Sequence, residues 1–456
     1  MRIELERSNF LKAWQIADKY TAASQQRDSL SGIRITASED NVTLEATDLK
    51  SSVKYPVKGA VVKEPGVAVL STAFFGELLR KTTEKTITLD LSGDRGTFKA
   101  GKSRSRFPVI PAENFPKIPE SSGAEPFCEI MASDLGKLIN EGSCAASSPA
   151  DFPKYMGTCL VRTSGQYLVV VSTDGRRLAR SQRLCVVHKE DDLVLPASAL
   201  KEIAKNFSTD DIVKIFADGS TVWFVLEKKE IIKEDTEETN NDNASETVNE
   251  DSQERVDILE FAVQRIETSF PKYEKILNDE VCSTIKVRKS VILPAVERVG
   301  IFAKNNSNPA TLMAITLQPE DSLRLSARAP DLGTTSESVD AHVEGQPMQI
   351  GFNAVFFEDG IRAADAEELV IEFSSEEGQT RILKSDTADF LYMLMPIRLT
   401  PQDIVPEDDS GDFTVPVEPE ELSQEDEAPQ EDEAPQEDYT PQEDQAPQYD
   451  DTDAPF

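Results

Sequence analysis

One unit of local structure recurs three times in this chain: a short apolar strand, a small or turn-forming residue, and an amphipathic helix. The copies are residues 69–79 (VLSTAFFGELL), 194–203 (VLPASALKEI) and 349–361 (QIGFNAVFFEDGI). Each follows, by about twenty residues, a strand that ends in a Thr-Asp or Pro-Asp turn: Thr47-Asp48, Thr173-Asp174 and Pro330-Asp331. A repeat of this kind restricts the fold to several copies of one module. A third marker, Asn-Phe-Pro at Asn114 and Ser-Phe-Pro at Ser269, closes the first two copies.

Spacing separates the module from what has been added to it. Ser71 to Phe115 is 44 residues, whereas Pro196 to Phe270 is 74. The excess coincides with residues 231–255, which hold nine acids against Lys233 and Arg255. A segment so polar cannot bury enough surface to fold, and it is expected to be a disordered acidic insert between two strands of the second unit. Residues 400–456 contain 21 Asp and Glu and no Lys or Arg. From Gln424 the sequence Gln-Glu-Asp-x-x-Pro recurs four times, so an extended, self-repelling acidic tail is expected there. Without these two stretches the formal charge of −35 becomes −7, so the acidity belongs to appendages.

A second helix opens each unit. Ser8-Asn9 is expected to cap one that carries Phe10, Trp14 and Ala17 on a shared face, and Ser133 one that carries Leu135, Leu138 and Ile139. The third, near 289–304, must hold Pro294 in its first turn. Alternating segments such as 86–91 (TITLDL) and 222–226 (VWFVL) supply strands, so the class is α+β: three repeated domains, each two helices on antiparallel sheets. The expected limits are 1–123, 124–282, 283–399 and a disordered tail 400–456. The helices carry Lys12, Lys19, Arg80, Lys81, Lys137, Lys201, Lys205, Arg298, Lys304 and Arg362. Cations on nearly all six helices of an acidic protein point to a polyanion.

Enzyme chemistry finds little support. His188 and His342 are the only histidines and lie in no metal spacing. No nucleophile elbow or phosphate-binding loop is present, and Asp48, Asp174 and Asp331 recur at equivalent turns, as architecture does. No catalytic residue, cofactor or metal is expected. Five cysteines, with no Cys-x-x-Cys pair, read as core residues of a reducing compartment. The N-terminus has no signal-peptide run and no stretch is long enough to span a bilayer, so a cytoplasmic protein without membrane contact is expected.

Taken together, the threefold repeat, the turn Ser172 to Ala179 (STDGRRLA), the segment Ser269 to Tyr273 (SFPKY) and the closing Met395 to Leu399 (MPIRL) resemble the bacterial sliding clamp, the DNA polymerase III beta subunit. The resemblance covers residues 1–399. It implies three clamp-type domains per chain and a head-to-tail homodimer, a ring around double-stranded DNA held without sequence specificity. It implies no intrinsic catalysis. The implied partners are a replicative polymerase complex with its 3'–5' exonuclease, a clamp loader and repair proteins, all bound through short linear peptides.

The peptide pocket so implied lies between the second and third domains. Its matching positions are Thr173, Gly175, Arg176, Arg177 and Leu178, then Pro271, Lys275 and Ile276, Asn353 and Phe356, and Met393, Leu394, Met395, Pro396, Ile397 and Arg398. Leu178, Ile276 and Met395 would desolvate apolar anchors, and Arg177 and Asn353 would hold polar groups of the peptide. Phe107 and Val109 on one chain and Ile301 and Phe302 on the other would form the dimer contact. Arg176 and Lys275 stand where many relatives carry His and Arg, and most relatives end at the residue matching Leu399. A non-encircling acidic scaffold is the alternative, and it predicts a monomer.

Overall fold

The computed structural model describes residues 1–22, 29–39, 41–148, 151–232, 253–277, 280–304, 311–318, 321–330 and 332–406. Met1–Pro406 is one compact unit. The repeat seen in the sequence is a repeat of whole domains.

The first copy runs β1 (Arg2–Glu6), α1 (Arg7–Asp18), β2 (Gly32–Ala37), β3 (Val42–Thr47), β4 (Ser51–Val57), β5 (Ala60–Glu64), β6 (Gly66–Ser71), α2 (Thr72–Lys81), β7 (Thr86–Ser92), β8 (Arg95–Ala100) and β9 (Ser103–Pro108). The second runs β10 (Glu125–Met131), α3 (Ala132–Gly142), β11 (Thr158–Ser164), β12 (Tyr167–Thr173), β13 (Arg177–Leu184), β14 (Val186–Val187), β15 (Asp192–Pro196), α4 (Ala197–Ala204), β16 (Ile212–Asp218), β17 (Thr221–Ile232) and β18 (Gln253–Gln264). The third runs β19 (Ser283–Arg288), α5 (Lys289–Lys304), β20 (Leu312–Gln318), β21 (Ser322–Ala329), β22 (Gly333–Asp340), β23 (His342–Gly345), β24 (Gln349–Asn353), α6 (Ala354–Ala363), β25 (Glu368–Phe373), β26 (Thr380–Lys384) and β27 (Phe390–Leu394). Among the described residues each copy is one strand, a helix, five strands, a helix and three strands.

Each copy builds a five-stranded and a four-stranded half-sheet, and the halves fuse across copies. The second copy's β14-β10-β16-β17-β18 joins the first copy's β4-β3-β2-β6 through β18 and β4, giving nine strands. The second copy's β15-β11-β12-β13 joins the third copy's β27-β26-β25-β19-β23 through β13 and β27, again giving nine. Two halves remain alone: five strands ending in β9 and four ending in β22. Both junctions are antiparallel and pair the last strand of one copy with the fourth strand of its neighbour.

The helices pack in pairs, α1 on α2, α3 on α4 and α5 on α6. Their apolar faces are buried as the periodicity predicts: Phe10, Ala13, Trp14 and Ala17 on α1, and Phe75 and Leu79 on α2. Trp14 and Phe75 meet with ring centroids 4.8 Å apart. Truncating a buried ring of this kind to Ala costs about 3–5 kcal/mol.

Several local expectations are corrected. The N-cap of α1 is Glu6, whose carboxylate accepts from Ser8 Oγ at 2.7 Å and Asn9 Nδ2 at 2.9 Å, so Ser8 and Asn9 lie inside the helix. Likewise Met131, not Ser133, precedes α3. Pro294 is the sixth residue of α5, beyond the first turn, so it removes the bond that an N–H there would donate to Ser290. The insert is narrower than 231–255, because β17 and β18 stay paired out to Ile232 and Gln253. Residues 233–252, Asp331 and the tail from 407 lie outside the described residues.

The tail also starts later than expected. Beyond Leu399 the chain turns, with Asp403 accepting from Thr400 N at 2.8 Å, and buries Val405. Arg324 of β21, itself largely buried, donates to the carbonyls of Val405 and Pro406, both at 2.8 Å. Residues 400–406 therefore belong to the third copy's fold.

Candidate functional site

The turn between β12 and β13 is held by its own side chains. Thr173 Oγ1 donates to Arg177 O at 2.7 Å and accepts from Gly175 N at 3.1 Å. Asp174 Oδ1 accepts from Arg176 N at 2.9 Å and Arg177 N at 3.0 Å. Gly175, at φ +84°, supplies the left-handed residue that this loop requires. The first copy repeats the device: Thr47 Oγ1 donates to Ser51 O at 2.8 Å, Asp48 Oδ1 accepts from Lys50 N at 2.9 Å, and Leu49 takes φ +73°. At these two turns the recurrent Asp is a backbone brace.

Arg177 is spent on the same scaffold. Its guanidinium lies 4.1 Å over the Phe356 ring and donates to Asp174 at 2.9 Å, Asp359 at 2.6 Å and Tyr392 Oη at 3.2 Å. Burial opposes its charge, but Tyr392, Asp359 and Asp174 outweigh that and raise its pKa above the usual arginine value. Tyr392 Oη in turn donates to Phe356 O at 2.7 Å. A Cβ at Gly360 would sit 2.4 Å from the Tyr392 ring, so only glycine lets α6 approach so closely. Arg177 thus pins α6 to the turn. Asn353 caps the same helix, its Oδ1 accepting from Val355 N and Phe356 N.

Pro396 is where the closing strand changes partners. Met395 N donates to Arg176 O at 3.0 Å, and Ile397 N donates to Gly351 O at 2.7 Å. Lacking an N–H, Pro396 sits between the second copy's ladder and the third's. Met395 is left 45 % exposed there. Opposite, residues 270–277 are tied down by Arg381, which donates to Leu277 O at 2.9 Å, and Ile276 is 49 % exposed.

Between these walls lies an apolar floor. Leu178 and Met393 are buried with Leu160, Val169, Val171, Val194 and Tyr273, flanked by Phe270, Leu277 and Leu391. Leu178 and Leu394 are both buried, at 1 % exposure. Pro271, Phe356, Pro396 and Ile397 are half-buried, whereas Gly175, Arg176, Lys275 and Arg398 are exposed. Ile276 and Met395 are the exposed large apolar side chains of the predicted set. Tyr155 and Met156 were not anticipated: the Tyr155 ring packs 6.3 Å from Phe270, and Met156 Cε lies 3.6 Å from where a Gly175 Cβ would be. Nothing in the spacing marks them. Beside the floor a cleft of about 590 Å³ is lined by Arg265, Phe270 and Pro271 and by Arg162, which bridges Asp192 and Glu274.

The helix cations fall into two groups. Lys12, Lys19 and Arg80 are exposed and make no ion pair among the described residues, and Lys201, half-buried, makes none either. Lys81 pairs with Glu77, Lys137 with Asp365, Lys205 with Glu202, Arg298 with Glu337, Lys304 with Glu358, and Arg362 with both Glu297 and Glu358. Of the expected dimer contacts, Phe107 is turned into its own core against Phe74 and Phe75 and is only 7 % exposed. Val109 and Phe302 are half-buried, while Ile301 is 57 % exposed on α5, which packs against β22.

A family model described as the N-terminal domain of the DNA polymerase III beta subunit matches residues 1–119, and one described as its C-terminal domain matches residues 274–398. The chain belongs to the DNA polymerase III beta subunit family. Among curated relatives, the beta sliding clamp of Streptococcus pneumoniae R6 is 22 % identical over 410 residues, covering 87 % of this chain and 99 % of the relative. That of Streptomyces coelicolor is 24 % identical over 412 residues, covering 88 % and 100 %. The solved Thermotoga maritima DNA polymerase III beta subunit superposes with a TM-score of 0.72 at 22 % identity, and the Bacillus subtilis DNA polymerase sliding clamp with 0.73 at 18 %. Each covers 88 % of this chain and all of the solved one. The beta-subunit fold thus accounts for the three copies, their α+β class and the fused sheets. Among the described residues no helix is long and apolar enough to cross a membrane, and no group of three or more His, Cys, Asp or Glu could hold a metal ion.

Proposed function

We propose that this chain is a sliding clamp that confers processivity on a replicative DNA polymerase as an accessory subunit without catalysis of its own. In this reading, domains 1–123, 124–282 and 283–406 form half of a ring. A second copy, head to tail, completes it around duplex DNA. Polymerase, clamp loader and repair proteins dock short peptides on the floor between Ile276 and Met395.

The observation that carries the ring is the pair of orphan half-sheets. Within the chain every five-stranded half that meets a neighbour does so by its last strand, β18 or β27, against the fourth strand of the next copy, β4 or β13. By that equivalence β9 is to β22 what β18 is to β4. A single polypeptide leaves one five-stranded half and one four-stranded half without partners. Two chains joined through β9 and β22 complete two further nine-stranded sheets and leave no half alone. An unpaired sheet edge is a template for another chain, and closure removes it.

Light scattering and DNA retention test this together. The solution mass should be near twice the 50.4 kDa chain mass, and protein loaded on circular DNA should be retained and then lost on linearisation. A monomer, or equal loss from circular and linear DNA, would leave the non-encircling scaffold as the better reading.

A further inference from the structure

Cations alone overstate how evenly the helices attract a polyanion. Counting carboxylates as well, the helices of the first copy with Lys19 carry a net charge of +3, those of the second with Lys205 carry 0, and those of the third carry +1. The pairing sharpens the contrast. Every one of Arg298, Lys304 and Arg362 faces a carboxylate, at distances that reach 2.6 Å for both partners of Arg362. On the first copy Lys12, Lys19 and Arg80 make no ion pair among the described residues, and Arg80 only shares with Lys81 the attraction of Glu77.

A second observation points to the same side. Lys12 lines a cleft of about 480 Å³ between the first and second copies, together with Lys58, Lys205 and Lys228 and the amides of Asn9, Gln15 and Asn206. The acids lining it are Glu202 and Asp257, so its walls carry a net +2. Two of its cations, Lys205 and Lys228, already pair with Glu202 and Asp211, whereas Lys12 makes no ion pair among the described residues, so Lys12 is what the cleft offers a phosphodiester backbone.

We propose that the first copy's helices grip the duplex, while the third copy's helices form a self-neutralised wall that the DNA passes without binding. The inference rests on the sliding-clamp reading and adds to it which faces deliver the electrostatic work. A phosphate that displaces Glu337 from Arg298 exchanges one anion for another and leaves the carboxylate beside it, so little is gained. A phosphate that meets Lys12 or Lys19 displaces only counterions, and their release drives binding. The grip is then confined to two patches of the ring, one per chain.

Affinity of the full-length protein for a fluorescent duplex oligonucleotide, measured from about 50 to 200 mM salt, decides this, because each phosphate contact contributes about 0.9 to the slope of log K against log salt. The variant Lys12→Gln/Lys19→Gln/Arg80→Gln should lose about 2 to 3 from the slope for each first-copy face engaged. Removing three whole ion pairs, Arg298→Gln/Glu337→Gln, Lys304→Gln/Glu358→Gln and Arg362→Gln/Glu297→Gln, leaves the net charge unchanged and should leave the slope within about one unit. As a control on folding, Glu297→Gln/Glu337→Gln/Glu358→Gln keeps all three cations and should bind more tightly with a steeper slope. Equal losses in the first two variants, or no gain in the third, would overturn the inference. Failure of the unaltered protein to bind duplex at any salt would also overturn the grip, whereas a monomer, or equal loss from circular and linear DNA, would overturn the clamp reading itself.

Discussion

At the residue scale, the side chains that brace the proposed site are buried, and the apolar ones proposed to meet a peptide, Ile276 and Met395, are exposed. Arg177 has four partners and is 8 % exposed, so Arg177→Ala strands Asp174 and opens a gap beneath Phe356. Breaking a buried pair in this way costs about 3–5 kcal/mol. Calorimetry should therefore show a large fall in melting temperature, with peptide affinity falling as a consequence. Met395 is the opposite case. Truncating a half-exposed rim residue leaves the melting temperature within about 1 °C, since surface changes stay within ~0.5 kcal/mol. Fluorescence polarisation with a short peptide from a replicative polymerase subunit should nevertheless show Met395→Ala binding roughly tenfold or more weakly, as loss of an apolar anchor does. The motif Thr-Asp-Gly-x-Arg-Leu was legible in the sequence; the job of its arginine was not, because Asp359 lies 182 and Tyr392 lies 215 residues away.

At the element scale, the boundary between the second and third copies is locked by charge as well as by the β13–β27 ladder. Glu141 of α3, 1 % exposed, accepts from Ser181 Oγ at 2.6 Å, Arg183 at 2.8 Å and Lys384 at 2.6 Å. Arg183 and Lys384 also reach Asp389, at 2.7 and 3.1 Å. Burial works against the Asp389 charge, yet Thr387, Arg183 and Lys384 prevail and hold its pKa below the ordinary aspartate value. The Lys137 hydrogen bond does the same to Asp365, against the opposing effect of burial. A carboxylate with a depressed folded-state pKa stabilises at pH values above its unfolded pKa, about 3.9, and that contribution is lost as pH falls through the folded value. Melting temperature should accordingly drop below about pH 4, and Asp389→Asn should show a lower plateau with a shallower acid limb. A second element-level prediction concerns the end of the fold. A chain cut after Pro406 should melt like the full protein, whereas one cut after Leu399 leaves the buried Arg324 without both carbonyls and loses about 1–3 kcal/mol. Composition suggested a tail from residue 400 because residues 400–456 hold 21 acids and no Lys or Arg; only Arg324, 81 residues before Val405, reveals that its start is anchored.

On the scale of the whole molecule, the threefold repeat was readable because turn chemistry and helix patterning are local, and each copy spells them out again. What was not readable is how the copies share sheets, since a ladder such as β18 on β4 joins residues two hundred positions apart in chains that carry no sign of it. The same limit applies to charge. Arg298 and Glu337 are 39 residues apart and Arg362 and Glu297 are 65, so the helices looked uniformly cationic until their partners were placed. The orphan edges β9 and β22 give this scale its own prediction. Ile301 stands exposed on α5, the helix that packs on β22 and is tied to it by the Arg298–Glu337 pair. If β9 of a second chain adds to β22, Ile301 becomes an apolar contact at that junction. Ile301→Asp would then bury an unpaired charge in the assembly while leaving it in water in the single chain. Light scattering should show the mass halved, calorimetry should show the chain's own fold retained, and circular DNA should no longer hold the protein. A variant that stays dimeric would place the closing contact elsewhere, and β9 would need another partner.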